Sequence, residues 1–281
     1  MYSLLKLLFA IKVAFCSCQP EIRKSGFQRG RPLYQVTRTG RLPRVVNESS
    51  GLAYRAGHGT FWTHNDSGGK PTLYEVAADG RLVDTLSLPG LTNTDWEDLA
   101  QQDSTVLFVG DIGNNQQTRR KLTIYRVDRS RPATTDQIVY HYADQSAFPP
   151  PPSQHYFDCE AMLYSDNRLY LFSKNRPLAS HYVKQYSLPA RAGDYALLPT
   201  DSVYIRAMVT GADISPDGHL FALLTYGKVL LFAVEKNQVN FRRPLHCIRL
   251  PRGQTEAISF VSPTDFVITN EKGKMFLVSR K

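Results

Sequence analysis

A five-residue pattern recurs five times down the chain, and four of the five copies carry an acidic residue. The copies are Ser49-Ser50-Gly51-Leu52-Ala53, Trp96-Glu97-Asp98-Leu99-Ala100, Cys159-Glu160-Ala161-Met162-Leu163, Gly211-Ala212-Asp213-Ile214-Ser215 and Thr255-Glu256-Ala257-Ile258-Ser259. A turn follows each copy, then a second strand-like run that ends in a polar cluster. Those clusters are His64-Asn65-Asp66, Gly110-Asp111 with Asn114-Asn115, Ser173-Lys174-Asn175, Thr225-Tyr226 and Thr269-Asn270-Glu271. Repeats of this length and strand content read as the blades of a propeller, whose innermost strands line one axial channel. A carboxylate on nearly every innermost strand therefore converges on one place. Like charges held together oppose one another's ionisation, so such a cluster calls for a counter-charge. The simplest is a hard divalent cation with oxygen ligands, here Ca2+.

Each repeat resolves into short strands. Blade one runs through Gly51–Tyr54, Thr60–Thr63, Thr72–Val76 and Leu82–Leu88, with turn chemistry at Asp79-Gly80. Blades two, three and four repeat the scheme. The fifth has three strands, Ala257–Phe260, Phe266–Ile268 and Lys274–Ser279, and lacks its outer one. The run Pro32–Arg38, which precedes blade one, is the expected donor. Pairing the two ends of the chain closes the ring and removes an exposed edge. The expected fold is therefore all-β, a five-bladed propeller over residues 32–281. A sixth, degenerate blade is the alternative, hidden in the long interval that contains the prolines Pro149–Pro152. Proline has no donor for a sheet ladder, so that stretch reads as a surface loop.

Ahead of the propeller, residues 2–15 are an apolar run too short to span a bilayer, and 1–18 reads as a secretory signal. Cys18 after Ser17 resembles the lipidation cysteine of a bacterial lipoprotein, which gives an expected membrane tether through Cys18 and a basic tether over 19–31. The chain is then exported: periplasmic or attached to the outer membrane, otherwise secreted. Cys159 falls on an innermost strand and Cys247 on an outermost one, a separation that argues against a disulfide between them. Buried free thiols are expected at both.

The formal charge of +9 is local. Lys6 and Lys12 supply two charges, and seven cations between Arg23 and Arg44 outweigh Glu21 by six, leaving +1 for residues 45–281. Nucleic acid is not implied. A monomer is expected.

Among candidate functional residues, Asp95-Trp96-Glu97-Asp98 opens an innermost strand, and period two places Asp95 and Glu97 on one face. Asp111 follows on the neighbouring strand, with two amides and close-approach glycines. Glu97, Asp111, Glu160, Asp213 and Glu256 form the expected metal set, with Asp66 and Glu271 beside them. His64 is the candidate general base. Lys174 and Arg176 are the candidate phosphate-binding cations, and Arg119 reads as solvated loop charge. No Gly-x-Ser-x-Gly elbow, His-Glu-x-x-His, Walker loop or Cys/His cluster is present, which leaves oxygen-ligand chemistry.

With Asn65-Asp66-Ser67-Gly68, Asp95-Trp96-Glu97-Asp98 and Gly110-Asp111-Ile112-Gly113-Asn114, the chain resembles a group of exported bacterial propellers whose members largely lack an assigned function. A looser similarity is to the calcium-dependent apyrases, secreted five-bladed propellers that hydrolyse nucleoside di- and triphosphates. It rests on Trp96-Glu97, Phe108-Val109-Gly110, Cys159-Glu160-Ala161 and Thr255-Glu256-Ala257-Ile258. The Trp and Glu are reversed here, and the later motifs match only at the acid and its neighbour. Beta-propeller phytases share the calcium logic with six blades. The resemblance implies a channel calcium and a phosphohydrolase acting on phosphate esters or nucleotides. The alternative is a non-catalytic surface or periplasmic propeller with a structural metal and a bound surface ligand.

Overall fold

The computed structural model describes residues 17–132, 135–174, 181–251 and 253–281. Five sheets begin at the innermost strands Ser49–Arg55, Trp96–Gln101, Cys159–Ser165, Val209–Ile214 and Thr255–Phe260. Each innermost strand touches those of the blades before and after it, and the fifth touches the first, so the sheets form a closed ring. The five-bladed propeller expected from the repeats is the fold that forms. The long proline-containing interval holds a loop and the 3-10 turn Pro152–Gln154 between blades two and three, and no sixth sheet among the described residues.

Burial follows from stacking blade against blade. The second strands Val106–Asp111 and Phe266–Asn270 are buried at every residue, because both faces meet a neighbouring blade. Hence they read as continuous apolar runs rather than as alternation. The outermost strand of blade one, Leu82–Ser87, is exposed at most positions and is mixed in composition.

Closure is as expected from the missing outer strand. Tyr34–Arg41 pairs antiparallel with Lys274–Arg280, from Tyr34 opposite Arg280 to Arg41 opposite Lys274. Where this seam meets blade one, two glycines face each other's backbone. A Cβ at Gly40 would lie 2.0 Å from the Asp79 carbonyl oxygen, and one at Gly80 would lie 2.1 Å from that of Arg41. Two short strands add to outer edges in parallel: Gly193–Leu197 on Thr135–Tyr142, and Gln28–Arg29 on Pro244–Arg249.

The N-terminal region corrects three expectations. Cys18 forms a disulfide with Cys247, 229 residues away, with the α-carbons 5.8 Å apart. A lipid thioether needs that same sulfur, so the tether through a lipidated Cys18 does not stand, and neither does a free Cys247. Cys159 is the buried free thiol. Nor are residues 19–31 a solvated tether. They form the helix Gln19–Ser25, packed against the outer strands of blades three and four, and the strand Gln28–Arg29 on the outer edge of blade four. Glu21 is fully buried there, pairs with Lys228 at 2.7 Å, and accepts the Arg206 amide. Residues 2–15 lie outside the described residues.

All five innermost strands carry an irregularity at the same place. Pairing with the second strand skips one residue in each blade: Ser50, Glu97, Glu160, Thr210 and Glu256. A bulge inserts one unpaired residue and re-aims its side chain. The repeat seen in the sequence is thus a repeated bulge. Its fourth member is Thr210, so the copy read at Gly211–Ser215 is two residues out of register and its acid, Asp213, stands three residues past the bulge.

Candidate metal centre at the channel mouth

The bulges build the channel mouth. Ser50 Oγ donates to the Glu97 carbonyl at 2.8 Å, and Thr210 Oγ1 donates to the Thr255 carbonyl at 2.7 Å, so the two hydroxyls tie neighbouring blades. The three acidic members stand at the opening, and the Tyr226 hydroxyl of blade four is hydrogen-bonded to the Glu256 carboxylate. Glu160 is ion-paired with Lys174, both buried. Glu97 is 4 % exposed and makes no side-chain hydrogen bond or ion pair among the described residues.

Glu97 does have neighbours. One oxygen each from Asp66, Asp95 and Glu97 lie within 4.8 Å of one another. Calcium–oxygen distances of about 2.3–2.6 Å let two oxygens on one ion lie up to about 5 Å apart, so the trio fits a single calcium. The surrounding chain holds the three in place. Asn93 Nδ2 donates to the carbonyls of Asn65 (3.2 Å) and Asp66 (2.7 Å), while its Oδ1 accepts the Trp96 amide at 3.2 Å. One side chain thus joins the Asp66 loop to the turn that carries Asp95 and Glu97. Beneath them, a Cβ at Gly113 would sit 2.3 Å from both Asp95 Oδ2 and Glu97 Oε1. Only glycine leaves that space open.

Electrostatics mark the trio as short of positive charge. Burial, with Asp66 and Asp158 nearby, raises the Asp95 carboxyl to about 6. Burial chiefly, then Asp66 and Asp95, pushes Glu97 well above the ordinary carboxylate range, against the pull of Lys174. Asp66 is raised by burial and by Glu48. Across the mouth, burial and Glu271 raise Glu256 to about 8, and Glu271 itself is raised by burial and Glu48.

The other expected ligands take different roles. Asp111 accepts the amides of Thr94 and Asp95, both at 3.2 Å, and pairs with Arg119 at 2.8 Å. It orients the turn that carries Asp95 instead of joining the trio, and Arg119 is no solvated loop charge. Asp213 takes no part in the mouth. Its oxygens accept the amides of Phe260 (2.7 Å) and Ile214 (2.8 Å) and the Ser259 hydroxyl (3.1 Å), stitching blade four to blade five. Burial raises it to about 7 against those bonds. Glu271 is hydrogen-bonded by Gln254. Glu160 and Glu256 sit on the mouth but outside the trio.

The expected general base is out of reach. The His64 side chain is fully buried against Trp96, with ring centroids 5.5 Å apart, and its Nδ1 meets the Asn65 carbonyl at 2.9 Å. Burial lowers it to about 4, so it stays neutral and out of contact with solvent. Lys174 stands at the mouth as expected, docked on Glu160. Arg176 lies outside the described residues.

Two residues of this centre were left out of the expected metal set, although their motif was singled out in the sequence. Asp95 stands two places before Glu97, and its motif was the available signal. Asp98 follows the bulge and plugs the channel below the trio. Its Oδ2 accepts the amides of Met162 (2.8 Å, blade three) and Ala212 (3.1 Å, blade four), and its Oδ1 that of Leu99 (2.9 Å). In the other blades the residue after the bulge is Gly51, Ala161, Gly211 or Ala257, so one carboxylate fills what four small residues leave free.

No family profile matches the chain, and no curated protein matches it in sequence. Solved structures match its fold. A luciferin-regenerating enzyme superposes at TM-score 0.54 and 9 % identity, over 88 % of this chain and 95 % of that one. A gluconolactonase from Xanthomonas campestris gives 0.51 and 13 %, over 88 % and 90 %. The PQQ-bound aldose sugar dehydrogenase of Streptomyces coelicolor gives 0.53 and 9 %, over 88 % and 98 %. At such identities the likeness is one of fold: this chain, like those propeller enzymes, is a β-propeller.

Proposed function

We propose that the protein is an exported calcium-binding propeller whose cation sits at the channel mouth on Asp66, Asp95 and Glu97. The observation that carries this reading is the trio itself. Three carboxylate oxygens lie within 4.8 Å, and one belongs to a buried glutamate with no partner among the described residues. An unpaired buried carboxylate is costly, and a divalent cation removes that cost. Hard oxygen donors with no nitrogen or sulfur ligand favour calcium over zinc or copper. Export is supported by the Cys18–Cys247 disulfide, a bond that persists in oxidising compartments.

The second reading is calcium-dependent hydrolysis of a phosphate ester or nucleotide, and Lys174 favours it. A bound cation supplies Lewis acidity toward an ester oxygen. The chain's own part would be to orient that ester from the mouth, with the Lys174 ammonium beside it. That ammonium already serves Glu160, which makes this the weaker reading.

Calorimetric titration with calcium, and with magnesium as control, tests the first reading. Calcium-selective binding that is lost in Glu97→Gln supports it. Absence of binding, or binding untouched by Glu97→Gln, removes it. Assay of the calcium-loaded protein on p-nitrophenyl phosphate and ATP decides the second.

A further inference from the structure

A cavity of about 290 Å³ lies at the seam between blades three and four. Gln185 lines it from the third strand of blade three, Tyr182–Pro189, and Thr200 and Asp201 from the start of the fourth, Asp201–Tyr204. Gln238, Asn240 and Arg242 close it from the loop between the third and fourth strands of blade four, Lys228–Ala233 and Pro244–Arg249. That loop joins the strand ends opposite the channel mouth, so this is a second concave site, away from the carboxylates.

Its wall is held by backbone. Lys236 and Asn237 both have positive φ, 52° and 57°, so the chain reverses there in a tight two-residue turn that bridges Glu235 to Gln238. Asp201 Oδ2 accepts the Phe241 amide at 2.9 Å and ties the two blades together beside the cavity. Asn240 Oδ1 accepts the Arg242 amide at 3.0 Å. Gln185 is held from both ends. Its backbone carbonyl accepts the Thr200 amide at 2.8 Å, and its Nε2 donates to the Val239 carbonyl at 2.8 Å. The bond to Val239 fixes which end of the side-chain amide is the nitrogen. Oε1 is therefore an acceptor. It has no hydrogen-bond partner among the described residues, although Gln185 is only 3 % exposed. A buried acceptor without a donor is costly, and the cavity that Gln185 lines is where a donor can enter.

The chemistry of the lining selects the ligand. An ionised carboxylate only accepts, so an anion of that kind cannot satisfy Oε1. Asp201 and Arg242 bring one charge of each sign, which leaves no surplus to recruit an ion. The other polar side chains are amides and hydroxyls, which give and take hydrogen bonds as the hydroxyls of a polyol do. Val239 and the buried Tyr170 add apolar surface for ring C–H groups. One water's share of liquid volume is about 30 Å³, so the cavity exceeds a single bridging water several-fold and is on the scale of one sugar ring. We propose that this cavity binds one neutral sugar ring, a hydroxyl of which donates to Gln185 Oε1. The site does not rest on the calcium reading.

Saturation-transfer NMR on the whole protein tests this, with D-glucose, D-galactose and D-mannose titrated to about 10 mM. At least one of them is expected to bind. Its dissociation constant should rise at least about tenfold in Gln185→Met, which removes the acceptor and keeps an unbranched side chain. The double variant Gln238→Ala, Asn240→Ala alters only the outer wall and should weaken binding too. Melting temperatures of both variants separate a lost site from a lost fold. Glu97→Gln should leave sugar binding unchanged. No binding of any of the three sugars overturns the proposal, as does a dissociation constant that neither variant moves. Inorganic phosphate that competes with the sugar and binds more tightly overturns it as well. Sugar binding that is lost in Glu97→Gln assigns the sugar to the channel mouth and removes it from this cavity. The methyl glycoside of the sugar that binds distinguishes its source. Binding of both assigns the end of a glycan, and binding of the free sugar alone assigns a monosaccharide.

Discussion

The channel mouth and the channel interior carry the same chemical group and treat it in opposite ways. At the mouth, Glu97 is buried with no hydrogen bond or ion pair among the described residues. One residue along the same strand, Asp98 accepts three backbone amides from blades two, three and four. Asp213, on blade four, is likewise saturated by two amides and a hydroxyl. Inside, carboxylates are structural staples that replace side-chain packing where five strands converge. At the mouth, a bulge turns the carboxylate away from the backbone donors that would satisfy it. The comparison teaches that acidity on an innermost strand is not by itself a sign of function. What separates the two roles is whether backbone N–H groups are within reach.

Asp98→Ala strikes the interior and has the largest expected effect. Three buried amides lose their acceptor, and urea denaturation should show a loss of about 3–5 kcal/mol. A loss below about 1 kcal/mol would mean that the channel refills with water and that Asp98 is no staple.

Away from both regions, Cys18→Ser with Cys247→Ser should cost about 2–4 kcal/mol through the freed N-terminal segment. Calcium affinity should stay unchanged. A parallel fall in calcium affinity would show the mouth to be coupled to that segment.

Glu97→Gln makes the same carboxylate-removing change at the mouth, with the opposite sign. In EDTA it relieves an uncompensated buried charge and should stabilise the protein by about 1–2 kcal/mol. With calcium present the order reverses, because wild type gains binding energy that the variant cannot. Equal melting temperatures with and without calcium in wild type would erase the distinction between the regions.

The smallest expected effect is a pH slope at Asp213. Its carboxyl is raised to about 7 in the fold against about 3.8 in the unfolded chain, so the folded state holds the proton more tightly. That contribution is full below about pH 4 and is lost as pH rises toward 7. The side chain is partly exposed, which tempers the effect to about 1 kcal/mol. Asp213→Asn should flatten this part of the stability curve relative to wild type. An unchanged slope would mean that the amides of Ile214 and Phe260 keep Asp213 ionised throughout.

Much of the fold was legible in the chain, because strand content and turn chemistry are local. The five repeats, the missing outer strand and its donor before blade one followed from apolar runs and turn residues alone. Glu97 and Asp95 stood out for the same reason, as neighbours in one motif, and Asp66 as part of a dense polar turn. Sequence spacing failed where the repeat lost its acid. In blade four the bulged residue is Thr210 and not an acid, so the nearest acid on that strand, Asp213, looked equivalent to Glu97. It also failed for His64, whose chemistry suggested a base and whose burial forbids it.

By itself, then, the sequence carried five repeats, the order of their strands and which turns are acidic, with a sixth blade left open until the sheets were counted. The tertiary structure alone decided the partners: Cys18 with Cys247, Glu21 with Lys228, Arg119 with Asp111, and Asp98 with the amides of two other blades. The physical reason is range. Strand and turn preferences act over a few residues, whereas closing a ring brings together groups that lie far apart in the chain. Only in the closed ring does a carboxylate meet a backbone amide or remain in want of a cation.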